Sequence, residues 1–425
     1  MEALKVAVLG AGGRGFSSYG MFALRYPHLI KVAAVAEPED AKRARMGEAH
    51  GIPDKLRFRT WQELIEKRPP VAAVLNCTQD AMHADSALAA LKAGYHQLLE
   101  KPMATTPHDC ARIVRTARET GRILAVCHGM RYSPLYQALK RIIDSRVLGE
   151  VVTVDHLENV AFWHQAHSFV RGPWSKRTSS SPMILAKSCH DMDILLYVLG
   201  KKPVRLSSFG SLTYFRPENA PKNAAERCLD GCPAEPTCPY SVQKNYLGGN
   251  RPDWVKNSDH LGADKSYEAK FAALKTGPFG RCVYKAGNDV VDHQTVHIEF
   301  EGGTTVSFLM HAFAAENCRT FRYGCTKGEI KGHGDRKELR VGYFEDGRED
   351  VIKPGSLEGG HGGSDTSMML QFVEALQSND PSKILTGANA SLDSHYLAFA
   401  AEESRLANGK VIEMSEYRAR IESEF

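Results

Sequence analysis

Several features that would narrow the class of protein are rare or missing in this sequence. Only 10 of its 425 residues are cysteines, too few for a disulfide framework. No apolar run approaches the roughly 20 residues that a membrane-spanning helix needs. The first residues, MEALKVAVLG, lead straight into a strand without the basic and apolar regions of a secretory signal. We therefore expect neither a disulfide-rich secreted domain nor a membrane protein, and the cytoplasm is the expected compartment.

An excess of charge of one sign is also lacking. The 54 lysines and arginines and the 50 aspartates and glutamates leave a formal net charge of +4, with the two signs interspersed. A nucleic-acid-binding surface needs clustered basic residues, so no nucleic-acid partner is expected. Hydrophobic residues make up 43% and charged residues 24%, which excludes a disordered chain, a coiled coil and a collagen-like fibre. At roughly 150 residues per domain, the length predicts two or three domains.

Short apolar segments alternate with helical patterns over residues 1–128. Thr60 and Glu63 form a capping box that begins one helix, and Thr106 before Pro107 begins another. Strands that are apolar throughout and separated by helices are typical of a parallel, doubly wound α/β sheet. The predicted strands are Leu4–Leu9, Lys31–Ala36, Ala72–Asn76, His96–Leu99 and Ile123–Cys127.

Residues 129–425 show a different pattern, in which strands follow one another directly. Glu301-Gly302-Gly303 is a typical hairpin turn between two of them. We therefore predict a second domain of the α+β class, built on a largely antiparallel open sheet. Residues 215–280 have little periodicity, as expected of an irregular insertion. The predicted strands are Glu150–Asn159, Val204–Phe209, Val290–Phe300, Thr304–Phe313, Arg319–Tyr323 and Leu339–Phe344, and the predicted helices are about Pro134–Ser145, Pro182–Val198, Asp365–Ser378 and Ala388–Asn408.

A glycine-rich turn follows the first strand. Glycines there let the backbone turn tightly and approach a pyrophosphate, which then lies at a helix N-terminus. Glu37 ends the next strand, where an acidic side chain accepts hydrogen bonds from a ribose diol and repels a 2′-phosphate. The pattern predicts NAD as the cofactor, and NADP stays open because Arg14 and Arg43 could pair with a phosphate. The residues of the turn are Gly10, Ala11, Gly12, Gly13, Arg14 and Gly15.

A second turn, Glu100-Lys101-Pro102, follows the fifth strand at the edge where open α/β sheets bind ligands. A lysine beside a nicotinamide could orient a substrate hydroxyl or share its proton. The alternative is a solvated lysine before a proline turn, and the tripeptide alone does not separate the two.

Taken together, the two turns resemble those of the glucose–fructose oxidoreductase and inositol dehydrogenase family (Gfo/Idh/MocA). The resemblance implies a Rossmann domain in residues 1–128 and a substrate-binding and oligomerisation domain in residues 129–425. It also implies NAD(P)-linked chemistry on a sugar or polyol, and homo-oligomers (a dimer or a tetramer) often packed through the second sheet. The matching stretches are Val6–Gly15, Val35-Ala36-Glu37-Pro38, Asn76-Cys77-Thr78 with His83, Ala93-Gly94-Tyr95-His96 leading to Glu100-Lys101-Pro102, Arg131-Tyr132-Ser133-Pro134, Cys189-His190-Asp191-Met192-Asp193 and Gly324-Cys325-Thr326-Lys327-Gly328.

The resemblance also implies site residues. Lys101 matches the catalytic lysine of the family and His190 its catalytic histidine, which would take or give the hydroxyl proton. Thr78, His83, Glu100 and Lys101 itself lie in matching cofactor-binding stretches.

On a helix over Pro182–Val198, the side chains of Lys187, His190, Asp191 and Ile194 would share one stripe. Asp191 or Asp193 could orient the imidazole of His190. Many relatives carry Asp four residues before that histidine, whereas this sequence has Ala186 there, with Lys187 next to it. This departure leaves open whether Lys187 takes over a positioning role or the reaction differs.

Substrate contacts are expected from a Trp- and His-rich segment, residues 163–174, because aromatic faces stack on sugar rings and polar groups bind hydroxyls. We predict His167, Arg171 and Trp174 as contacts, together with Lys187 and Asp191 of the helix that carries His190. His361, in a glycine-rich turn before a late helix, could reach the same pocket. The alternative is a surface loop held in place by its tryptophans.

Four cysteines fall in or just after the irregular insertion. Four thiolates suit tetrahedral zinc, and a segment with little apolar sequence needs a cross-link. The spacing lacks a tight CxxC pair, so free thiols or a disulfide remain alternatives to structural zinc. The residues are Cys228, Cys232, Cys238 and Cys282.

Three functions are compatible with these features. The leading hypothesis is an NAD-dependent oxidoreductase acting on a sugar, sugar derivative or cyclitol. The second is a redox-cycling glycosidase that transiently oxidises a ring hydroxyl, eliminates the aglycone, adds water and returns the hydride. The third is a non-catalytic NAD-binding sensor. A catalytic divalent metal would favour the second hypothesis, and its candidate ligands are His190, Asp191, His167, His361, Asp292 and His293.

Overall fold

The computed structural model describes residues 2–249, 251–355 and 363–424. Its N-terminal part is a six-stranded parallel sheet with strand order β3-β2-β1-β4-β5-β6, so the direction of winding reverses between β1 and β4. Open α/β sheets bind ligands at such a reversal. The strands are β1 (Leu4–Leu9), β2 (Ile30–Ala36), β3 (Arg57–Phe58), β4 (Ala73–Asn76), β5 (His96–Leu99) and β6 (Leu124–Val126), and the helices are α1 (Met21–Arg25), α2 (Asp40–Ala49), α3 (Trp61–Lys67), α4 (His83–Lys92) and α5 (Pro107–Thr120).

The two predicted helix starts are present. The hydroxyl of Thr60 accepts a hydrogen bond from the backbone N–H of Glu63, and Thr106 accepts one from Asp109, each at the N-cap. Strand β3 has only two residues and was not predicted, since so short a segment carries no periodic pattern.

The C-terminal part is built on a nine-stranded sheet. Its strand order is β14-β13-β12-β11-β7-β10-β9-β8-β15, and every pair is antiparallel except β7 with β10. The predicted fold class is therefore confirmed. The strands are β7 (Val151–Ala161), β8 (Pro203–Ser211), β9 (His293–Phe300), β10 (Thr305–Ala314), β11 (Cys318–Cys325), β12 (Gly328–His333), β13 (Glu338–Tyr343), β14 (Glu349–Ile352) and β15 (Ile412–Glu413).

Helices cover one face of this sheet and connect it to the first. The apolar side chains of α5, α9 and α13 belong to one continuous core with the inward residues of the nine-stranded sheet. No helix in the described ranges is long and apolar enough to cross a membrane. The helices of this part are α6 (Pro134–Asp144), α7 (Phe162–His164), α8 (Met183–Ala186), α9 (Cys189–Leu199), α10 (Asp253–Lys256), α11 (Tyr267–Thr276), α12 (Ser364–Ser378), α13 (Ala388–Leu406) and α14 (Met414–Glu422).

One predicted helix is interrupted. The prediction of a single helix over Pro182–Val198 was wrong, because the chain forms α8 and α9 with a break at Lys187 and Ser188. At the break, the carbonyl of Ala186 accepts a hydrogen bond from the Lys101 ammonium. An amphipathic pattern cannot reveal a break that depends on a side chain from another domain.

The irregular insertion is folded. It contains α10 and α11 and contributes to two small apolar clusters, one around Tyr240 and Val283 and one around Val242 and Leu274. These clusters are small beside the main core, so the insertion has few apolar contacts per residue.

Candidate active site

The glycine-rich turn has the geometry of a cofactor cradle. Gly10 has φ +84, and a Cβ there would lie 2.4 Å from the carbonyl oxygen of Cys77. A Cβ on Gly15 would lie 1.9 Å from the carbonyl oxygen of Gly10, so both positions exclude a side chain. Gly12 and Gly13 differ, because a Cβ on either would meet no atom within 4 Å. The fold therefore does not require glycine at Gly12 and Gly13, and these residues leave an open backbone surface at the edge of the sheet.

Glu37 lies against this cradle at the end of β2. Its side chain is buried and its carboxylate accepts hydrogen bonds from the backbone N–H of Ala11 at 2.7 Å and of Glu39 at 2.9 Å. A carboxylate oxygen has capacity for further donors, so a ribose diol arriving at this edge finds a fixed anionic acceptor.

Arg14 lies in the glycine-rich turn but points into the protein. Its guanidinium donates to Glu100 at 2.5 Å and to Asp365 at 2.7 Å, and it also contacts the hydroxyl of Tyr19 at 2.7 Å. Arg43 donates to the carbonyl of Glu37 at 2.6 Å. Arg14 and Arg43, the two arginines that could pair with the 2′-phosphate of NADP, thus donate to acceptors within the protein.

The Glu100 carboxylate anchors the second turn. Burial disfavours its charge, but the Arg14 guanidinium and the Tyr19 hydroxyl outweigh burial and hold the pKa of Glu100 below its usual value. The ring of His83 bridges the carbonyl oxygens of Pro102, at 2.6 Å, and Thr78, at 3.0 Å. These contacts fix the turn that presents Lys101.

Lys101 reaches across to the C-terminal part. Its ammonium donates to the carbonyl of Ala186 at 2.8 Å, at the break between α8 and α9. An ammonium carries three N–H donors, so two remain for other acceptors. His190 lies in the first turn of α9, buried, with its ring 5.5 Å from that of His128. Lys101 thus contacts the chain at the junction between α8 and α9, four residues before His190.

His128 in turn packs against His395, with ring centroids 5.3 Å apart. Nε2 of His395 accepts from the N–H of Met103 at 2.8 Å, and its Nδ1 lies 2.6 Å from the carbonyl of Ser391, an arrangement that fixes a neutral tautomer. Burial lowers the pKa of His128 and of His395 to about 3. The rings behind His190 are therefore uncharged at neutral pH.

A buried ionic network lies beside this junction. Lys187 pairs with Glu158 at 3.0 Å, and Arg319 pairs with both Glu158, at 2.8 Å, and Asp191, at 2.7 Å. Nε2 of His156 lies 2.9 Å from Asp191. Burial lowers the pKa of Lys187, an effect that Glu158 opposes and Arg319 reinforces. Sequence reasoning found Lys187 and Asp191 but missed Glu158 and Arg319, which lie on two adjacent sheet strands.

The two aspartates proposed to orient His190 have strong partners elsewhere. Asp191 belongs to the network just described, and Asp193 forms a bidentate pair with Arg131 at 2.7 Å for both bonds. Asp193 is fully buried and Arg131 nearly so. Both carboxylates thus tie α9 to neighbouring elements through arginines.

His164 is a functional candidate that sequence reasoning missed. Its Nδ1 lies 2.7 Å from the side-chain oxygen of Asn317. Burial, reinforced by the nearby charges of Lys187 and Lys101, lowers its pKa well below the usual value. His164 is therefore a neutral group close to both lysines. Its position in a segment already expected to bind substrate was the available indication.

The three predicted substrate contacts from residues 163–174 hold the surrounding structure together. His167 is buried among aromatic rings, with Nδ1 3.2 Å from the Tyr246 hydroxyl. The Arg171 guanidinium donates to the carbonyls of Arg281 and Tyr240, and the indole N–H of Trp174 donates to Asp80. Each of these three side chains thus has at least one polar partner within the protein, while Nη1 of Arg171 has no hydrogen-bond partner among the described residues. His361 lies outside the described residues.

The proposed ligands of a catalytic divalent metal are dispersed. Asp292 accepts from Thr213, Tyr214 and His293, and His167 lies among the aromatic rings described above. In the described ranges, the only three potential ligand atoms within 4.8 Å of one another belong to Glu316, Cys318 and His333.

A cavity of about 340 Å³ lies beside this network. Arg319 and Asn317 contribute to its wall, and its volume is in the range of small-molecule pockets, about 300–1,000 Å³. The other lining residues are Cys318 and residues within 130–136, 334–337 and 354–355.

Comparison with known proteins places this arrangement in a family. Residues 4–128 match the oxidoreductase family with an NAD-binding Rossmann fold, GFO_IDH_MocA, and residues 140–411 match its C-terminal alpha/beta domain. The chain belongs to the Gfo/Idh/MocA oxidoreductase family. The predicted family and enzyme class, an NAD(P)-dependent oxidoreductase, are therefore confirmed.

Relatives within this family vary in chemistry. The oxidoreductase YteT of Bacillus subtilis (strain 168) is 26% identical over 75% of this chain and 75% of its own. An inositol 2-dehydrogenase of Saccharopolyspora erythraea is 30% identical over 41% of this chain and 49% of its own, and a 2,7-anhydro-N-acetylneuraminate hydratase of Mediterraneibacter gnavus is 24% identical over 49% and 53%. The chain thus spans about half the length of the last two.

Solved structures agree with the fold. The inositol dehydrogenase homolog from Azotobacter vinelandii, complexed with NADH and myo-inositol, superimposes with a TM-score of 0.68. The similarity covers 97% of this chain and 98% of that one at 14% identity, which shows the shared fold alone.

Proposed function

We propose that the protein oxidises a hydroxyl carbon of a sugar, sugar derivative or cyclitol, or reduces the corresponding ketone, with NAD as the redox partner. The observation that carries the proposal is the Lys101–Ala186 contact. It places the lysine of a cofactor-edge turn at the helix break beside His190. Relatives named for inositol and neuraminate chemistry support a polyhydroxylated substrate.

The residues present fit the dinucleotide. Gly12 and Gly13 leave backbone exposed where a pyrophosphate would lie, and Glu37 offers a carboxylate for a ribose diol. Arg14 and Arg43 have their guanidinium groups engaged by protein acceptors. This supports NAD rather than NADP. Nicotinamide, when bound, accepts or donates the hydride.

The chain's own residues supply the proton chemistry. In the oxidation, the C–H and O–H bonds break as the C=O bond forms; the nicotinamide, when bound, would accept the hydride, and His190 takes the hydroxyl proton. Lys101, oriented by the Ala186 carbonyl, donates a hydrogen bond to the hydroxyl oxygen. With Lys187 close by, two ammonium groups stabilise negative charge that develops on that oxygen. The neutral ring of His164 can accept from another substrate hydroxyl.

A second candidate is the redox-neutral reaction, in which a transiently oxidised ring loses a group by elimination, adds water and regains the hydride. Lys187 favours it, because burial lowers the pKa of its ammonium and so makes that group a better proton donor to a leaving group. The relative named as a hydratase supports the same chemistry.

The two reactions separate in one experiment. Purified protein is mixed with excess NAD and a panel of free sugars, cyclitols and aryl glycosides, while NADH formation and aglycone release are followed together. NADH formed stoichiometrically without aglycone release is the expected result. Aglycone release that needs NAD but yields no net NADH would replace the first proposal by the second. A Lys101→Ala/His190→Ala variant that keeps full turnover would contradict both.

The predicted cytoplasmic location and homo-oligomeric state remain predictions.

A further inference from the structure

The four cysteines of the sequence cluster meet around one small cavity. Its volume is about 20 Å³, enough for a single ion or water molecule. All four are free thiols, and the cavity lies between the insertion, the residues around Cys282 and the side chain of Arg171. Its cysteines are Cys228, Cys232, Cys238 and Cys282.

The backbone brings together cysteines that are distant in sequence. Arg227 and Arg281 form an antiparallel bridge. Beside it, the N–H of Cys228 donates to the carbonyl of Gly280 and the N–H of Cys282 to that of Glu226, both at 2.9 Å. These two cysteines therefore stand on neighbouring extended segments.

A buried cation lies against the cluster. Arg171 is 4% exposed and its Nη2 lies 3.4 Å from the sulfur of Cys228. Four thiolates around a divalent cation carry two net negative charges, and a buried guanidinium compensates part of them.

We propose that these four cysteines bind one Zn²⁺, which cross-links the insertion. Zinc prefers four tetrahedral thiolates at about 2.3 Å. The sulfurs stand further apart here than around a bound ion, since no three of them lie within 4.8 Å of one another in the described ranges. Cys228, Cys232 and Cys238 are only half-buried, so their side chains can rotate towards the cavity, while Cys282 is held by the backbone bridge.

The proposed zinc cross-link affects the active site because the insertion packs against it. Trp254, in α10, packs on His164 with ring centroids 4.9 Å apart, and Asp259 forms an ion pair with Arg45 of the N-terminal part at 3.7 Å. Arg171 connects the metal site to the segment that carries His164. Zinc thus holds the segment that packs on His164 and reaches the edge of the cofactor domain.

The test is the metal content of the purified full-length chain, measured by mass spectrometry of the elements. We expect one zinc per chain in the wild type and less than a tenth of that in Cys232→Ser/Cys238→Ser. Cys325→Ser, which removes a buried thiol on β11, is the matched control and should keep its zinc. Replacing zinc by cobalt should give the strong visible absorption of tetrahedral thiolate coordination.

Three outcomes would overturn the proposal. The first is a wild-type chain without zinc, even after reduction and Zn²⁺ supplementation, or one whose mass after alkylation shows disulfides among the four. The second is iron in place of zinc. The third is zinc that is lost in Cys318→Ser but retained in Cys232→Ser/Cys238→Ser, which would assign the metal to Glu316, Cys318 and His333. If the double variant fails to fold, the wild type still decides, because native alkylation should modify the four thiols only after zinc is chelated.

Discussion

Gly12→Ala should separate cofactor binding from folding. A Cβ at Gly12 would meet no atom within 4 Å, and the residue has φ −76, so the folded chain accommodates alanine there. We expect the free energy of unfolding to stay the same or to rise by about 0.4–1 kcal/mol, because alanine restricts the unfolded chain. A pyrophosphate that approaches the same backbone would collide with the methyl group.

The expected loss of NAD affinity follows from this collision. Forcing an extra carbon into a close contact costs about 1–3 kcal/mol, which corresponds to a Kd for NAD about 5- to 150-fold higher. Calorimetric titration with NAD and a thermal melt of the free protein measure the two quantities. Gly387→Ala, whose Cβ would also meet no atom closer than 3.8 Å, is the control and should leave the Kd for NAD unchanged.

Gly15→Ala provides the opposite case. Its Cβ would lie 1.9 Å from the carbonyl oxygen of Gly10, so the backbone must move and the melting temperature should fall. If Gly12→Ala binds NAD as tightly as the wild type, the cofactor does not lie against this turn, and the assignment of the cradle is refuted.

Three further predictions concern charge. Glu37→Gln keeps an acceptor for the Ala11 N–H but loses the negative charge, so the Kd for NAD should rise about fivefold and the Kd for NADP should fall. Titration with each dinucleotide measures the two constants. Equal changes in both would contradict the assignment of Glu37 to the ribose. Arg131→Met leaves the fully buried Asp193 without its arginine and should lower the free energy of unfolding, measured with denaturant, by about 3–5 kcal/mol. The double variant Arg131→Met/Asp193→Leu should regain most of that stability. Burial lowers the pKa of three histidines to about 3, so between pH 3 and 6.5 the folded chain binds fewer protons there than the unfolded chain, and the free energy of unfolding falls as the pH falls through that range. The three are His128, His167 and His395. From pH 7.5 to 5.5 these three histidines should lower the free energy of unfolding by about 4 kcal/mol. A His167→Gln variant should lose less over the same range, and an equal loss would show that burial of the neutral imidazole does not cause it.

The sequence predicted those features of the site that depend on local order. The glycine-rich turn, Glu37 and Lys101 each follow a strand directly, so a parallel sheet must bring them to one edge. The helix break at Lys187 could not be predicted in this way. It coincides with a hydrogen bond between residues 85 positions apart, and the apolar pattern of the segment continues through it.

Contacts between residues far apart in sequence account for the other places where the structure differs from what the sequence predicts. Arg14 looked like a phosphate ligand because of its neighbours in sequence, but Asp365, 351 residues away, engages it. Glu158 and Arg319 come together only because β7 and β11 are adjacent, a register that no local pattern specifies. Arg171 stays a predicted substrate contact, and its guanidinium also donates to the backbone carbonyls of Arg281 and Tyr240, partners that its neighbours in sequence do not indicate.

The central claim is that Lys101 and His190 carry the proton chemistry of an NAD-linked oxidation. The most direct measurement is a single-turnover assay of nicotinamide reduction, with Lys101→Met and His190→Asn compared with the wild type at saturating NAD and a substrate found in the panel. We expect each variant to bind NAD with an unchanged Kd and to reduce it at least 100-fold more slowly, in line with the contribution of about 10²–10⁴ from acid–base catalysis. Reduction at the wild-type rate in either variant would contradict the account.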